Sequence, residues 1–500
     1  MRYAVRKPNL TATAVGSPDM LFAIVFFLNS ATNFALGIVL SALLGPAEFG
    51  RYATVALAAI TLAGAVFDWL RYSTLRFVGE PGERAKVASS LEASYLGVMA
   101  LLALAVILAL ATGLTFGLTP SLLAVTPLLA IALNRVDFAG AQFRACGQDR
   151  AFAALFGLRQ LFTFTLVIGI AYFTRDATLT VVALAFASLA AAIALLGPLR
   201  TPGARLSLAN RGRIIEFLVY AKPIVASLVV YQLIALINRQ VALDHLGAVA
   251  TGKLSLATDL GQRLFQAVST LPEFLLFQYA LERERAEGRA AAQRQIGVNM
   301  ALALALLAPL AGGYMAMAPT FEALLVPSAY RGEFARLTLF VAPGFLAYCL
   351  ISSALNPVFQ LARRTWPVTL ASLVALATDL ALLRFGGLAT SVESLALANA
   401  ISLAVGLLVA AGMALREPAS RPRARDVAAV VAATLAMSFG VRPLNGVGSP
   451  ALAAAAAVVG GGAFYGATLL VFDVAGLRTM AAAWLRAPRG VWSAPPPSRS

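Results

Sequence analysis

Fourteen apolar stretches, each about as long as a bilayer is thick, divide this chain of 500 residues and constrain its fold more than any other feature. They run approximately over 20–44, 53–79, 91–118, 123–143, 151–173, 178–198, 217–246, 254–276, 295–318, 335–360, 366–383, 390–414, 427–441 and 450–473. A helix of roughly 17–25 residues crosses a hydrocarbon core of ~30 Å. In hydrocarbon every backbone N–H and C=O must find its partner inside the chain, so such segments fold as helices. The expected fold is an all-α integral membrane protein with about fourteen transmembrane helices, the thirteenth being the shortest.

Charge placement supports this reading. Only 12% of residues are charged and 60% are hydrophobic, with a mean hydropathy of +0.81; a soluble domain carries about 25% charged residues. The net charge of +16 would point to nucleic acid in a soluble protein, but here it follows topology. With the N-terminus inside, the cytoplasmic segments hold 25 Lys and Arg, and the external ones seven: Arg51, Arg175, Lys253, Arg331, Arg336, Arg384 and Arg442. Such a bias places both termini in the cytoplasm. The first apolar run continues to Leu44, longer than the ~7–15 residues of a cleavable signal's core. Cys146 falls in a loop and Cys349 inside the tenth span, so neither a disulfide nor a metal site is expected. No cofactor is expected either.

The chain carries an internal echo. Leu44-Gly45-Pro46-Ala47-Glu48-Phe49-Gly50-Arg51 follows the first span, and Leu246-Gly247-Ala248-Val249-Ala250-Thr251-Gly252-Lys253 follows the seventh. Both read Leu-Gly-x4-Gly-basic, with an even number of spans between them, so the halves share one orientation. Parallel repeats of this kind occur in transporters, with the substrate site at the repeat interface. The division expected is an N-lobe over 1–198, a linker over 199–216, a C-lobe over 217–414, two appended helices over 415–476 and a tail over 477–500. Ala494-Pro495-Pro496-Pro497-Ser498 in that tail has the composition of a disordered segment.

Gly247-x4-Gly252-Lys253 resembles the start of a phosphate-binding loop, yet Leu254 stands where a Mg²⁺-ligating Ser or Thr is needed. It reads as a helix elbow. Gly113-x3-Gly117 and Gly462-x3-Gly466 read as helix-packing pairs. His245, the single histidine, stands at a span boundary and reads as structural.

The candidate site comes from charges inside the spans. Arg71, Arg135, Arg159, Arg239 and Arg263 lie in apolar stretches. A guanidinium there costs roughly 2.5–3.5 kcal/mol on insertion scales, so such residues face a partner or a wet cavity. These five are the candidate substrate-binding residues. Asp68, Asp137 and Asp259 are candidate charge partners or gates: Asp68 and Arg71 are three apart, and Asp259 and Arg263 four apart, so each pair shares a helical face. Arg135 and Asp137 are two apart and need different partners, with Arg159 and Gln160 the nearest in sequence. Arg76 and Lys222 lie near span ends and snorkel.

The stretch Leu44-Gly45-Pro46-Ala47-Glu48-Phe49-Gly50-Arg51-Tyr52-Ala53, after a first span with Asn29 and Asn33, resembles the opening of polysaccharide flippases of the multidrug/oligosaccharidyl-lipid/polysaccharide exporter superfamily. Ile237-Asn238-Arg239 through Leu246-Gly247 and Gly252 resembles the start of that family's second lobe, with Asn238 where Asp is common. The resemblance implies two six-helix lobes that alternate between inward-open and outward-open states. It implies transport of a polyprenyl-pyrophosphate-linked oligosaccharide from the inner to the outer leaflet of the bacterial cytoplasmic membrane, for exopolysaccharide, O-antigen or capsule assembly. Expected partners are that lipid-linked oligosaccharide, membrane lipids and a polysaccharide polymerase or export machinery; nucleic acid is not among them. An ion-coupled exporter of cationic drugs from the same superfamily ranks second, because the five arginines outnumber Asp68, Asp137 and Asp259. A membrane polymerase or ligase ranks last, since the external loops are short.

Overall fold

The computed structural model describes residues 18–78, 83–113, 120–195, 197, 204–362, 364 and 366–479. The tail around Ala494–Ser498, Gly117 and Arg200 lie outside the described residues. Among those described there is no strand. Helix α1 spans Pro18–Phe77, α2 Arg84–Thr112, α3 Pro120–Ala145, α4 Asp149–Phe162, α5 Ile168–Thr174 and α6 Ala177–Ala194. The chain continues with α7 over Arg211–His245, α8 over Gly247–Glu287, α9 over Arg289–Ala316 and α10 over Ala318–Leu325. It ends with α11 (Phe334–Leu350), α12 (Asn356–Leu361), α13 (Trp366–Phe385), α14 (Val392–Ala414), α15 (Ala424–Val441), α16 (Pro450–Ala456) and α17 (Gly462–Val471). Single π-helical turns at Thr163–Val167, Ile351–Leu355 and Ala457–Gly461 join α4 to α5, α11 to α12 and α16 to α17.

Twelve helices among the described residues are long and apolar enough to cross a membrane. The difference from fourteen arises in two places. One candidate, Leu28–Phe77, is 50 residues long and holds the first two expected spans with a kink at Gly45. The other is α8, which covers the eighth expected span but is not among the twelve. Large apolar side chains face outward along many helices, with Phe173 83% and Leu408 70% exposed. Water would penalise such a surface, whereas lipid does not.

Local chemistry explains where helices break and begin. Gly45 takes φ 72 and ψ 170, a positive-φ extended conformation essentially confined to glycine, and Pro46 then opens the next arm. Asp176 accepts the Leu179 N–H at 2.7 Å, Asn210 accepts from Gly212 and Arg213, and Ser391 caps α14 in a reciprocal box with Ser394. Gly113, Gly462 and Gly466 have open space where a Cβ would stand, so the packing role expected of them is not seen. Close approach is made by Gly312 instead, which lets α9 meet Thr434 and Ser438 of α15.

The largest hydrophobic core draws on both halves of the sequence: Leu40, Phe49 and Leu129 meet Leu256, Leu337 and Leu395. Helix α7 straddles two cores. Phe217 and Ala221 near its start pack with Phe67, Leu91 and Phe138, whereas Tyr231 and Ile234 pack with Ala371 and Leu403. The segment preceding α7 is tied down as well: Ser89 and Ser90 of α2 accept the backbone N–H groups of Arg205 and Asn210, each at 3.0 Å. The last helices attach to α9, where the Tyr465 hydroxyl donates to the Ala305 carbonyl at 2.7 Å and the Asn445 amide to that of Ala316 at 2.7 Å.

Candidate functional site

Three helical stripes line an open cavity of about 360 Å³ within the first half. From α1 come Asn29 and Arg71, from α3 Asp137, Gly140 and Arg144, and from α4 Phe152, Phe156 and Arg159. The spacings are helical: 137, 140 and 144 lie on one face of α3, and 152, 156 and 159 on one face of α4. Three guanidiniums thus line one chamber with one carboxylate. Arg71 Nη2 stands 3.5 Å from Asp68 Oδ2 and donates to the Tyr72 hydroxyl at 3.0 Å, so part of its hydrogen-bonding capacity is engaged on its own helix. Gln160, beside Arg159, donates its amide to Asn29 and ties α4 to the first arm of α1.

The other expected arginines lie elsewhere. Arg135 turns away from the chamber to pair with Glu92 of α2 at 3.1 Å, its guanidinium over the rings of Tyr95 and Phe138 at 5.2 and 5.7 Å. The partner expected from α4 is replaced by one from α2, because α3 presents residue 135 on the face opposite 137. Arg239 is 4% exposed and clamped by Asp259, by Thr258 Oγ1 at 3.2 Å and by the carbonyl of Ala53 at 3.0 Å. It is thereby a staple between α7, α8 and the second arm of α1. The Asp259–Arg263 pair expected from spacing is not formed, since Asp259 is taken by Arg239. Arg263 Nη1 is buried without a hydrogen-bond partner and lies close to Gly37, where an added Cβ would stand 3.6 Å from it. Arg71 and Arg159 therefore share a chamber, whereas Arg135, Arg239 and Arg263 do not line it.

A second, smaller cavity of about 80 Å³ lies between α7, α8, α11, α14 and the second arm of α1. Its wall carries four buried polar atoms without partners: Tyr231 Oη, Gln232 Oε1, Asn238 Oδ1 and Arg239 Nε. Such groups are costly to leave dry, and the space admits a few waters. Behind it Asp379, fully buried, accepts the Asn238 amide at 3.0 and 2.9 Å and the Ser402 hydroxyl at 3.1 Å. Among the described residues no basic side chain pairs with it.

Sequence reasoning missed Asp379, Glu92 and Arg144. Asp379 and Glu92 carried the same signal as the five arginines, a charge inside an apolar stretch. Arg144 lies one residue beyond the expected end of the fourth span and was assigned to a loop, whereas α3 continues to Ala145 and carries it onto the chamber face. The two added acids narrow the margin of arginines over carboxylates on which cationic-drug export ranked second.

The sequence echo has a structural counterpart. Gly45 and Gly247 both have positive φ, 72 and 84. Gly50 and Gly252 pack against each other's elbow: a Cβ on Gly50 would stand 2.7 Å from Gly252 N, and one on Gly252 would fall 3.1 Å from the Pro46 Cα and nearer still to its carbonyl. The two elbows interlock backbone to backbone. Arg51 pairs with Glu48 on its own helix, and Lys253 with Glu333 at 2.7 Å. Nearby, burial raises the Tyr330 hydroxyl above the ordinary phenol range and keeps it a donor to the Ser41 carbonyl at 3.1 Å.

The whole architecture is that of solved transporters. It matches the lipid II flippase MurJ in an inward closed conformation with a TM-score of 0.68 at 13% identity, over 92% of this chain and 100% of that one. An inward-facing multidrug resistance MATE family transporter of the MOP superfamily gives 0.58 at 14% identity, over 80% of this chain and 98% of that one. The MATE multidrug transporter DinF-BH, in complex with R6G, gives 0.52 at 14% identity, over 81% and 97%. No protein-family model matches the sequence, and no curated protein does. At such identities the likeness shows the fold alone, one shared by a solved lipid flippase and by solved MATE multidrug transporters.

Proposed function

We propose that the chain is a flippase that moves a polyprenyl-diphosphate-linked oligosaccharide from the inner to the outer leaflet of the bacterial cytoplasmic membrane, for exopolysaccharide, O-antigen or capsule assembly. The observation that carries the reading is the chamber in which Arg71, Arg144 and Arg159 converge with Asp137, the one lining carboxylate among the described residues. Guanidinium groups meet phosphate oxygens in a bidentate fork and lose less hydration than ammonium, which suits them to a diphosphate drawn out of water. The chamber abuts the α3–α4 turn, on the side that the basic loops assign to the cytoplasm, where the substrate would be made. The first and second sequence halves act as the two lobes of the repeat, the last two helices as an addition to the second, and rocking of the lobes exposes the head to either side. Outward movement of an anion across an inside-negative membrane is favourable by about 2.3 kcal/mol per charge per 100 mV, which suffices as a driving force. The residues form and break no covalent bond in this scheme, so the chain acts as a transporter and not as an enzyme.

The test is transport by purified protein in liposomes. A fluorophore on the saccharide of a polyprenyl-diphosphate-linked probe reports its leaflet through quenching by a membrane-impermeant reductant. Arg71→Ala and Arg159→Ala should each abolish equilibration between leaflets while leaving the melting temperature close to that of the parent. Wild-type rates from both variants would refute the reading.

A second reading, export of organic cations, draws on Asp379, a fully buried carboxylate without a basic partner among the described residues, beside a mainly apolar cavity that carries several polar atoms. It predicts that deleting the gene sensitises cells to cationic dyes and that Asp379→Asn reproduces the deletion.

A further inference from the structure

We propose that Phe152 and Phe156 form a carbohydrate-stacking subsite in the arginine chamber, holding the ring of the sugar next to the diphosphate; the inference rests on the flippase reading above. The two rings lie one helical turn apart on α4 and on the same stripe as Arg159. Their centroids are 4.7 Å apart with planes at 47°, so together they make a shallow V. Gly140 allows that placement. A Cβ there would stand 3.0 Å from Phe156 Cε2 and 3.5 Å from Phe152 Cε2, so the rings lean on the backbone of α3 and leave the chamber wide. At the rim the Arg144 guanidinium sits 5.9 Å from the Phe152 ring centroid.

Both rings are half-buried on a wall that also carries guanidinium, carboxylate and amide groups, with Leu75 and Ala141 among them. The occupant that satisfies all of these surfaces is anionic at one end and has an adjoining flat face of C–H groups with hydroxyls around its edge. A pyranose attached to a diphosphate has that shape: its axial C–H groups pack on the negative ring faces, and its hydroxyls reach Asp137 and Asn29. A bare isoprenoid would cover the rings but would offer no hydrogen-bonding group to the guanidinium, carboxylate and amide side chains beside them. The chamber, at about 360 Å³, is within the range of small-ligand sites, ~300–1,000 Å³.

The experiment uses full-length protein in detergent and two short-chain probes: farnesyl diphosphate, and farnesyl diphosphate carrying one N-acetylglucosamine. The double variant Phe152→Leu/Phe156→Leu keeps the wall apolar while removing the ring faces, and a melting curve verifies its fold; single Phe152→Leu serves if the double variant does not fold. The expected result is roughly tenfold weaker binding of the sugar-bearing probe, with farnesyl diphosphate affinity changed by less than about twofold. Gly140→Ala, which pushes the rings into the chamber, should lower affinity for the sugar-bearing probe more than for the bare diphosphate. Equal loss of both probes, or loss of neither, would overturn the subsite and assign the rings to helix packing, with the diphosphate reading intact. Failure of the unaltered protein to bind either probe would overturn both.

Discussion

An arginine in a membrane is defined by what it touches, and the five in this chain divide on that ground. Arg239 is enclosed by a carboxylate, a hydroxyl and a carbonyl from two other segments. Asp259→Asn should therefore destabilise the protein by about 3–5 kcal/mol, because it leaves a buried cation without its counter-charge; thermal unfolding in detergent measures this, and an unchanged midpoint would show that the clamp is not formed. Arg159 lines the open chamber, so Arg159→Ala should shift stability by less than about 1 kcal/mol while transport is lost. Sequence alone located these charges, since the cost of inserting a guanidinium depends on its own stretch. It could not choose their partners. Arg135 finds Glu92 across 43 positions, Arg239 finds Asp259 across 20, and Asn238 finds Asp379 across 141. Helical spacing had joined Asp259 to Arg263, and the packing of α7 on α8 overrode that local geometry.

At the scale of elements, the two elbows carry the argument. Their glycines do two different jobs, one at positive φ and one at close approach. Gly252→Ala should cost about 1–3 kcal/mol, because the added Cβ drives into the Pro46 backbone and the elbows must part. Gly440→Ala, with open space around it in α15, is the control and should be neutral or stabilising by up to about 1 kcal/mol. Unfolding curves that show the two alanines to be equivalent would exclude the interlock. Helix ends were less legible than helix existence. The fourth expected span stopped at 143, whereas α3 runs two residues further and brings Arg144 to the chamber. A basic residue at a span end resembles any interfacial charge until its helix neighbours are known.

At the scale of the whole molecule, orientation is open to direct test. With Cys146 and Cys349 replaced by Ser, Thr390→Cys should react with a membrane-impermeant maleimide on intact cells, and Gln148→Cys only after permeabilisation. Reversed labelling would place the chamber at the opposite leaflet and turn the proposed direction of transport around. Collapsing the membrane potential in energised vesicles should slow outward movement, in keeping with about 2.3 kcal/mol per charge per 100 mV.

The sequence by itself determined that this chain enters a bilayer and that it does so as helices, and its basic loops led to the expectation that its ends share one side. Those properties depend on the hydropathy of contiguous residues and on where Lys and Arg cluster, so no distant contact can alter them. It also marked two elbows by the same eight-residue pattern. Only the tertiary structure decided that Arg71 and Arg159 share a chamber with Arg144, that Arg239 is a structural clamp, and that Asp379 lies beside a second cavity. The physical reason is that a charge in a low-dielectric bundle takes the nearest compatible partner in space. Which residue that is depends on the rotation and register of every helix packed around it.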